Sequence, residues 1–85
     1  MALATIETLR NEINAIDDKL IELFMKRFKL SQQIGEIKKQ NSINVSDPTR
    51  EKAILNKIPS SPYQSSLIKI YQTVFLESKK RQETK

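Results

Sequence analysis

Five polar residues stand where a helical pattern asks for apolar ones. Arg27 interrupts the series Leu9, Ile13, Ile16, Leu20, Leu23, Leu30, Ile34 and Ile37. The steps of that series alternate between four and three, which is the seam of one long helix. Lys38 follows Arg27 by eleven residues. At about 100° per residue it returns to within about 20° of the same direction, about 16 Å further along the axis. Two cations thus share a mostly apolar face. Further on, Glu51 precedes Ile54 and Leu55 by one turn and Ile58 by two, so it lies on their side of a helix. The series Leu67, Tyr71, Val74 then continues at the same spacing to Ser78 and on to Arg81 or Gln82.

Each of these residues has an ordinary reading. A seam arginine can fix register. A lysine can run its stem along apolar surface and keep its head in water. Glu51 in a first turn suits the helix dipole, and Ser78 and Gln82 can mark a helix end emerging into solvent. Asp47, before Pro48, reads first as an N-cap. Arg50 reads as a surface residue or as one directed along the loop toward the same place. Together they form a pattern that is costly to bury without a ligand. Two cations, a carboxylate and one or two neutral hydrogen-bonders face inward in a short chain.

That set contains no nucleophile beside a base and no metal cluster, which argues against covalent or metal-assisted hydrolysis. A cationic cage with a few hydrogen bonds suits a small polyanion, above all a dicarboxylate held by arginines. A reaction that needs only a fixed conformation and support for developing negative charge can run there. Arg10 precedes Arg27 by 17 residues, which places it about 100° around the helix and about 25 Å away. It cannot serve the same pocket from the same helix. In an antiparallel dimer it could reach the pocket of the partner.

Composition narrows the classes further. The chain has 85 residues, no cysteine, no histidine and one glycine. Disulfides, thiolate chemistry, imidazole bases and glycine-rich phosphate loops are therefore excluded. No apolar run approaches the ~20 residues of a membrane span. The start, Met-Ala-Leu-Ala-Thr, lacks the pattern of a signal peptide, so a cytoplasmic location is expected. The net charge is +5. Much of the excess lies in Lys79, Lys80, Arg81 and Lys85, read as a solvated tail. No aromatic residues interleave with the basic ones as a base-stacking platform needs, so neither a nucleic acid nor a membrane is expected as partner.

The elements that must position these groups are all helical. Residues 1–5 read as a frayed lead, and helix 1 as about 5–39 with Thr5 at its N-cap. Such a helix is about 50 Å long, too long for the rest of the chain to cover. Its seam predicts a two-fold homodimer. A polar loop follows over 40–46 and helix 2 over about 48–58, ended by Pro59-Ser60-Ser61-Pro62. Helix 3 runs over about 62–82, with Ser61 and Gln64 spaced as a capping box and Leu67, Ile70, Tyr71, Val74 and Phe75 facing inward. The helix folds back on the first. The expected fold class is all-α, one domain of three helices over 1–85.

At this point the residues match a known family. The chain resembles the all-helical class of chorismate mutases from about Ile6 to Gln82. The resemblance rests on Leu9-Arg10 with Ile13, Ile16-Asp17 and Leu20, on Arg27, and on Ile34-Gly35 with Lys38. It continues through Asp47-Pro48-Thr49-Arg50-Glu51 and Glu77-Ser78 with Gln82. It implies an intertwined helical homodimer with two equivalent sites. It also implies rearrangement of chorismate to prephenate in phenylalanine and tyrosine biosynthesis, with no cofactor and no metal. By position, Arg27 and the partner's Arg10 would bind the two substrate carboxylates. Lys38 and Gln82 would hydrogen-bond the ether oxygen. Glu51 would hold the ring hydroxyl, with Asp47 nearby, and Arg50 and Ser78 would complete the contacts. Two readings compete: an isochorismate-pyruvate lyase of the same fold, and a non-catalytic dimerisation module that senses chorismate or prephenate. A basic nucleic-acid binder is a more distant third.

Overall fold

The computed structural model describes residues 2–83, with side chains described over 5–83. It consists of three helices, α1 (Ala2–Gln40), α2 (Pro48–Leu55) and α3 (Gln64–Glu83), with no strand among the described residues. The lead expected to fray is helical from Ala2, because Ala-Leu-Ala contains only strong helix formers and no breaker. Thr5 therefore lies inside α1 and does not cap it. Met1 and Lys85 lie outside the described residues.

α1 is stopped just past Gln40 by Ser42, the one non-glycine residue with positive φ (55°) among those described. The amide of Ile43 donates to the carbonyl of Lys38 at 2.8 Å, and that of Ser42 to Lys39 at 3.4 Å. This pair of bonds is a Schellman cap. A serine in the left-handed region costs roughly 1 kcal/mol more than a glycine would. The reversal brings Val45 back beside Lys38.

α2 begins as its sequence predicts. The Oδ1 of Asp47 accepts a hydrogen bond from the Arg50 amide at 3.1 Å, and Pro48 takes the first helical position. It ends three residues sooner than expected. Asn56 follows as C-cap, and the amides of Lys57 and Ile58 each reach back only three residues. Pro59 disfavours the α conformation at Ile58, so the last turn tightens. The capping box at the next helix does not form. Ser61 Oγ accepts from the amide of Tyr63 at 3.2 Å, a local serine turn, and α3 starts at Gln64.

α3 packs on the C-terminal half of α1, and α2 packs on α3. Residues 41–63 carry the chain back, so α3 runs in the same direction as α1. Phe24 and Phe28 face Ile70 and Val74, Arg27 meets Ser78, and Gly35 meets Gln82. The core of one protomer is small. Val74 and Phe75 are its buried apolar side chains, each 6% exposed, with the Tyr71 ring 5.8 Å from that of Phe75. Ile70, expected inward, is half exposed because nothing within the protomer covers it.

The apolar stripe in the N-terminal half of α1 is left uncovered. Leu9, Ile13, Ile16, Leu20 and Leu23 are all exposed, Leu23 by 58%. The chain measures 60 × 27 × 14 Å, with a radius of gyration of 16.9 Å. A compact chain of this length would have about 12 Å. No helix among the described residues is long and apolar enough to cross a membrane.

Candidate active site

Where α1, α2 and α3 converge they enclose a cleft of about 450 Å³. Seven of the eight residues singled out in the sequence line it: Arg27, Lys38, Asp47, Arg50, Glu51, Ser78 and Gln82. Arg10 does not, because it sits on the uncovered half of α1. The apolar wall comes from Leu30, Ile34, Ile54 and Phe75, in line with the helical periodicity that flagged the polar residues.

The guanidinium of Arg27 donates from Nη1 to the hydroxyl of Ser78, which is 5% exposed. No carboxylate lies within ion-pair reach of Arg27 among the described residues. Burial holds its pKa below the ordinary arginine value, repulsion from Arg50 adds to the effect, and Tyr71 opposes it. A half-buried cation without a counterion is partly desolvated at a cost that an anion would offset. The cleft is therefore a site whose electrostatics improve when an anion enters.

Lys38 shows the most specific geometry. Its ammonium donates to the carbonyl of Val45 at 3.0 Å and to Oε1 of Gln82 at 2.9 Å. An ammonium has three protons, so one donor remains. The bond also orients the Gln82 amide, since its oxygen must face the cation and its NH2 group must face away. Lys38 and Gln82 both line the cleft, and each keeps N–H donors that these bonds do not use. The Schellman cap makes this possible by returning Val45 to the lysine.

Across the cleft, Glu51 pairs with Lys79 at 3.3 Å, both side chains about one-third exposed. Lys79 corrects the reading of residues 79–81 as a solvated tail. It lines the cleft and holds the carboxylate of α2 against α3. Lys80 and Arg81 lie on the outer side, within 3.0 and 3.8 Å of Glu77. This also decides between Arg81 and Gln82, because Gln82 continues the inward series and Arg81 does not. Asp47 and Arg50 stay exposed at the rim. Four cations (Arg27, Lys38, Arg50, Lys79) therefore face two carboxylates (Asp47, Glu51) around the cleft.

Sequence reasoning missed Ser31 and Lys79. Ser31 is 6% exposed and lines the cleft. It lies one turn after Arg27 and one turn before Gly35 on the same face, a signal that was available. Lys79 could be found only from its approach to Glu51, which requires knowing where α2 docks.

The fold and the site define a class: an all-α protein with a cationic, hydrogen-bonding cleft sized for a small organic dianion. The chain belongs to the chorismate mutase type II family, whose model matches residues 9–83. It is 32% identical over 80 residues to the chorismate mutase of Methanocaldococcus jannaschii, covering 88% of this chain and 81% of that protein. It is 40% identical over 53 residues to the bifunctional chorismate mutase/prephenate dehydratase of Aquifex aeolicus. That match covers 62% of this chain and only 15% of the larger protein. Among solved structures, a conserved hypothetical protein from Pyrococcus furiosus superposes with a TM-score of 0.81 at 32% identity, covering 93% of this chain and 96% of that one.

Proposed function

We propose that this chain is a chorismate mutase that converts chorismate to prephenate as a homodimer with two equivalent sites. The observation that carries the reading is the meeting of Lys38 with Gln82 at 2.9 Å, in the same cleft as the counterion-free Arg27. Chorismate is a dicarboxylate whose ether bond breaks as a new carbon–carbon bond forms. Negative charge then grows on the ether oxygen. Donors fixed before the reaction stabilise that charge without reorganising, and they act more strongly on the transition state than on the substrate.

Arg27 binds one substrate carboxylate, with Ser78 holding the guanidinium in place. Arg10 of the partner subunit binds the other. Lys38 and Gln82 donate to the ether oxygen. Glu51 accepts from the ring hydroxyl, and Arg50 closes the rim beside Asp47. The substrate is held in a compact, chair-like form with its reacting carbons close together. No proton is transferred and no covalent intermediate forms, which suits a cleft where Ser78 is bonded to Arg27 and Glu51 to Lys79 rather than to each other.

The dimer rests on three features. The uncovered seam of α1 is apolar over two heptads. A second apolar hollow, lined by Phe24, Phe28, Ile70 and Val74, opens on the protomer surface. Arg10 also lies away from its own protomer's cleft, so that only a second chain could bring it to one. The test is the loss of chorismate's ultraviolet absorbance with purified protein, with Arg27→Ala as control. Conversion to prephenate by the wild type, lowered by about 10- to 100-fold in the variant, is the expected result, since a charge-assisted hydrogen bond is worth roughly 1.5–3 kcal/mol. Release of pyruvate from isochorismate with no turnover of chorismate would overturn the proposal.

A further inference from the structure

Gly35 is the one glycine in the chain, and it lies inside α1. Glycine weakens a helix interior relative to alanine. No glycine here has positive φ, so the local backbone does not require it. The reason lies across the helix contact. A methyl group on Gly35 would stand 2.8 Å from the carbonyl carbon of Gln82, and nearer still to that residue's Cα and carbonyl oxygen. These are backbone atoms, which cannot rotate out of the way. The missing side chain lets the last turn of α3 lie directly on α1, and Gly35 is buried there.

The position matters because Gln82 lies in the last turn of α3, and helix ends fray unless tied down. Gln82 has two ties. One is the backbone contact with Gly35, and the other is the hydrogen bond from Lys38, three residues further along α1. The first sets where the Gln82 Cα sits, and the second sets which way its amide faces.

We propose that Gly35 is the positioning residue for Gln82, holding the end of α3 against α1 so that the Gln82 amide meets Lys38 in the cleft. This rests on the mutase reading, in which that amide donates to the ether oxygen. A Gly35→Ala substitution favours α1 by intrinsic propensity yet drives the last turn of α3 outward. The amide leaves Lys38, while Arg27, two turns before Gly35, and Ser78, one turn before Gln82, keep their contact. The loss then falls on turnover and spares substrate binding.

The experiment is a double-mutant cycle on kcat and KM with wild type, Gly35→Ala, Gln82→Ala and the double variant. Gly35→Ala is expected to lower kcat by about tenfold or more, a part of what a lost oxyanion-type donor costs, with KM changed by less than about threefold. In the Gln82→Ala background the same substitution should change kcat by less than about twofold, because the group it positions is already gone. An equal loss in both backgrounds, or full activity in Gly35→Ala, overturns the proposal. Backbone 15N relaxation of the wild type decides the matter if Gly35→Ala does not fold. A Gln82 amide as rigid as that of Ser78 supports the anchor, and a frayed one overturns it. An inactive wild type would sink the mutase reading alone, since the relaxation measurement still tests the anchor.

Discussion

The two halves of α1 share one heptad seam and meet different surroundings. Residues 24–40 pack on α3, bury Ser31 and Gly35, and point Arg27 and Lys38 into a cleft. Residues 5–23 carry an equally regular apolar stripe that lies exposed on the chain. The seam changes character where the contacts change. In the C-terminal half a cation, Arg27, stands in the seam and the small residues Ser31 and Gly35 lie beside it, and close approach and a site follow. In the N-terminal half Leu9, Ile13, Ile16, Leu20 and Leu23 are unbroken, as an intermolecular contact needs. In the proposed dimer one stretch of a single pattern would serve catalysis and another assembly, set by the residues that interrupt it.

The largest effect should come from breaking the assembly half. Placing a carboxylate at two seam positions, Ile16→Glu with Leu20→Glu, forces charge into the proposed interface, where burial costs several kcal/mol per ion. Sedimentation should show loss of the dimer, and activity should vanish although every residue of the protomer's own cleft remains. A fully active monomer would separate the two halves and refute the shared site.

Next in size is Lys38→Ala in the other half. Loss of a donor aimed at the developing oxyanion should lower kcat by about a hundredfold or more, roughly 3 kcal/mol, while sedimentation still reports a dimer. Intact turnover in a folded Lys38→Ala protein would remove the catalytic role from this half of α1.

A complementation experiment joins the halves. Arg10→Ala and Lys38→Ala dimers should each be nearly inactive. After mixing and subunit exchange, half of the dimers pair the two variants, and each of these has one complete site, so about a quarter of wild-type activity should return in a two-fold assembly. No recovery despite proven exchange would mean that Arg10 does not serve the partner's cleft.

The smallest effect concerns the rim. Asp47→Ala removes the N-cap of α2 and should lower stability by about 1 kcal/mol, read as a shift in the thermal or urea midpoint. Asp47→Asn should restore the stability, because asparagine caps as well. Activity that follows stability in both variants would assign Asp47 to the helix cap, and a rate loss in Asp47→Asn would assign it to substrate.

The helices and most of the cleft were legible because helical geometry converts spacing into direction. Arg27, Lys38, Glu51, Ser78 and Gln82 interrupt apolar series at helical intervals, and any folding of these helices had to turn them inward. Boundaries were less legible, since the end of α2 depends on how Pro59 tightens the preceding turn and the start of α3 on a serine turn at Ser61. The charge run at 79–81 was misread because its residues divide between two faces. Lys79 finds Glu51 only once α2 docks on α3, while Lys80 and Arg81 find Glu77 on the outside.

The sequence alone determined three helices, an oversized first helix with an apolar stripe, and an inward set of cations and hydrogen-bonders without a nucleophile. These follow from periodicity and composition, which are local properties of the chain. Tertiary structure decided that α3 runs parallel to α1, that Lys38 orients Gln82, and that Gly35 lets the backbone of α3 come into contact. Those outcomes depend on the distance between elements remote in sequence, and periodicity sets the direction of a side chain without setting how near its partner comes.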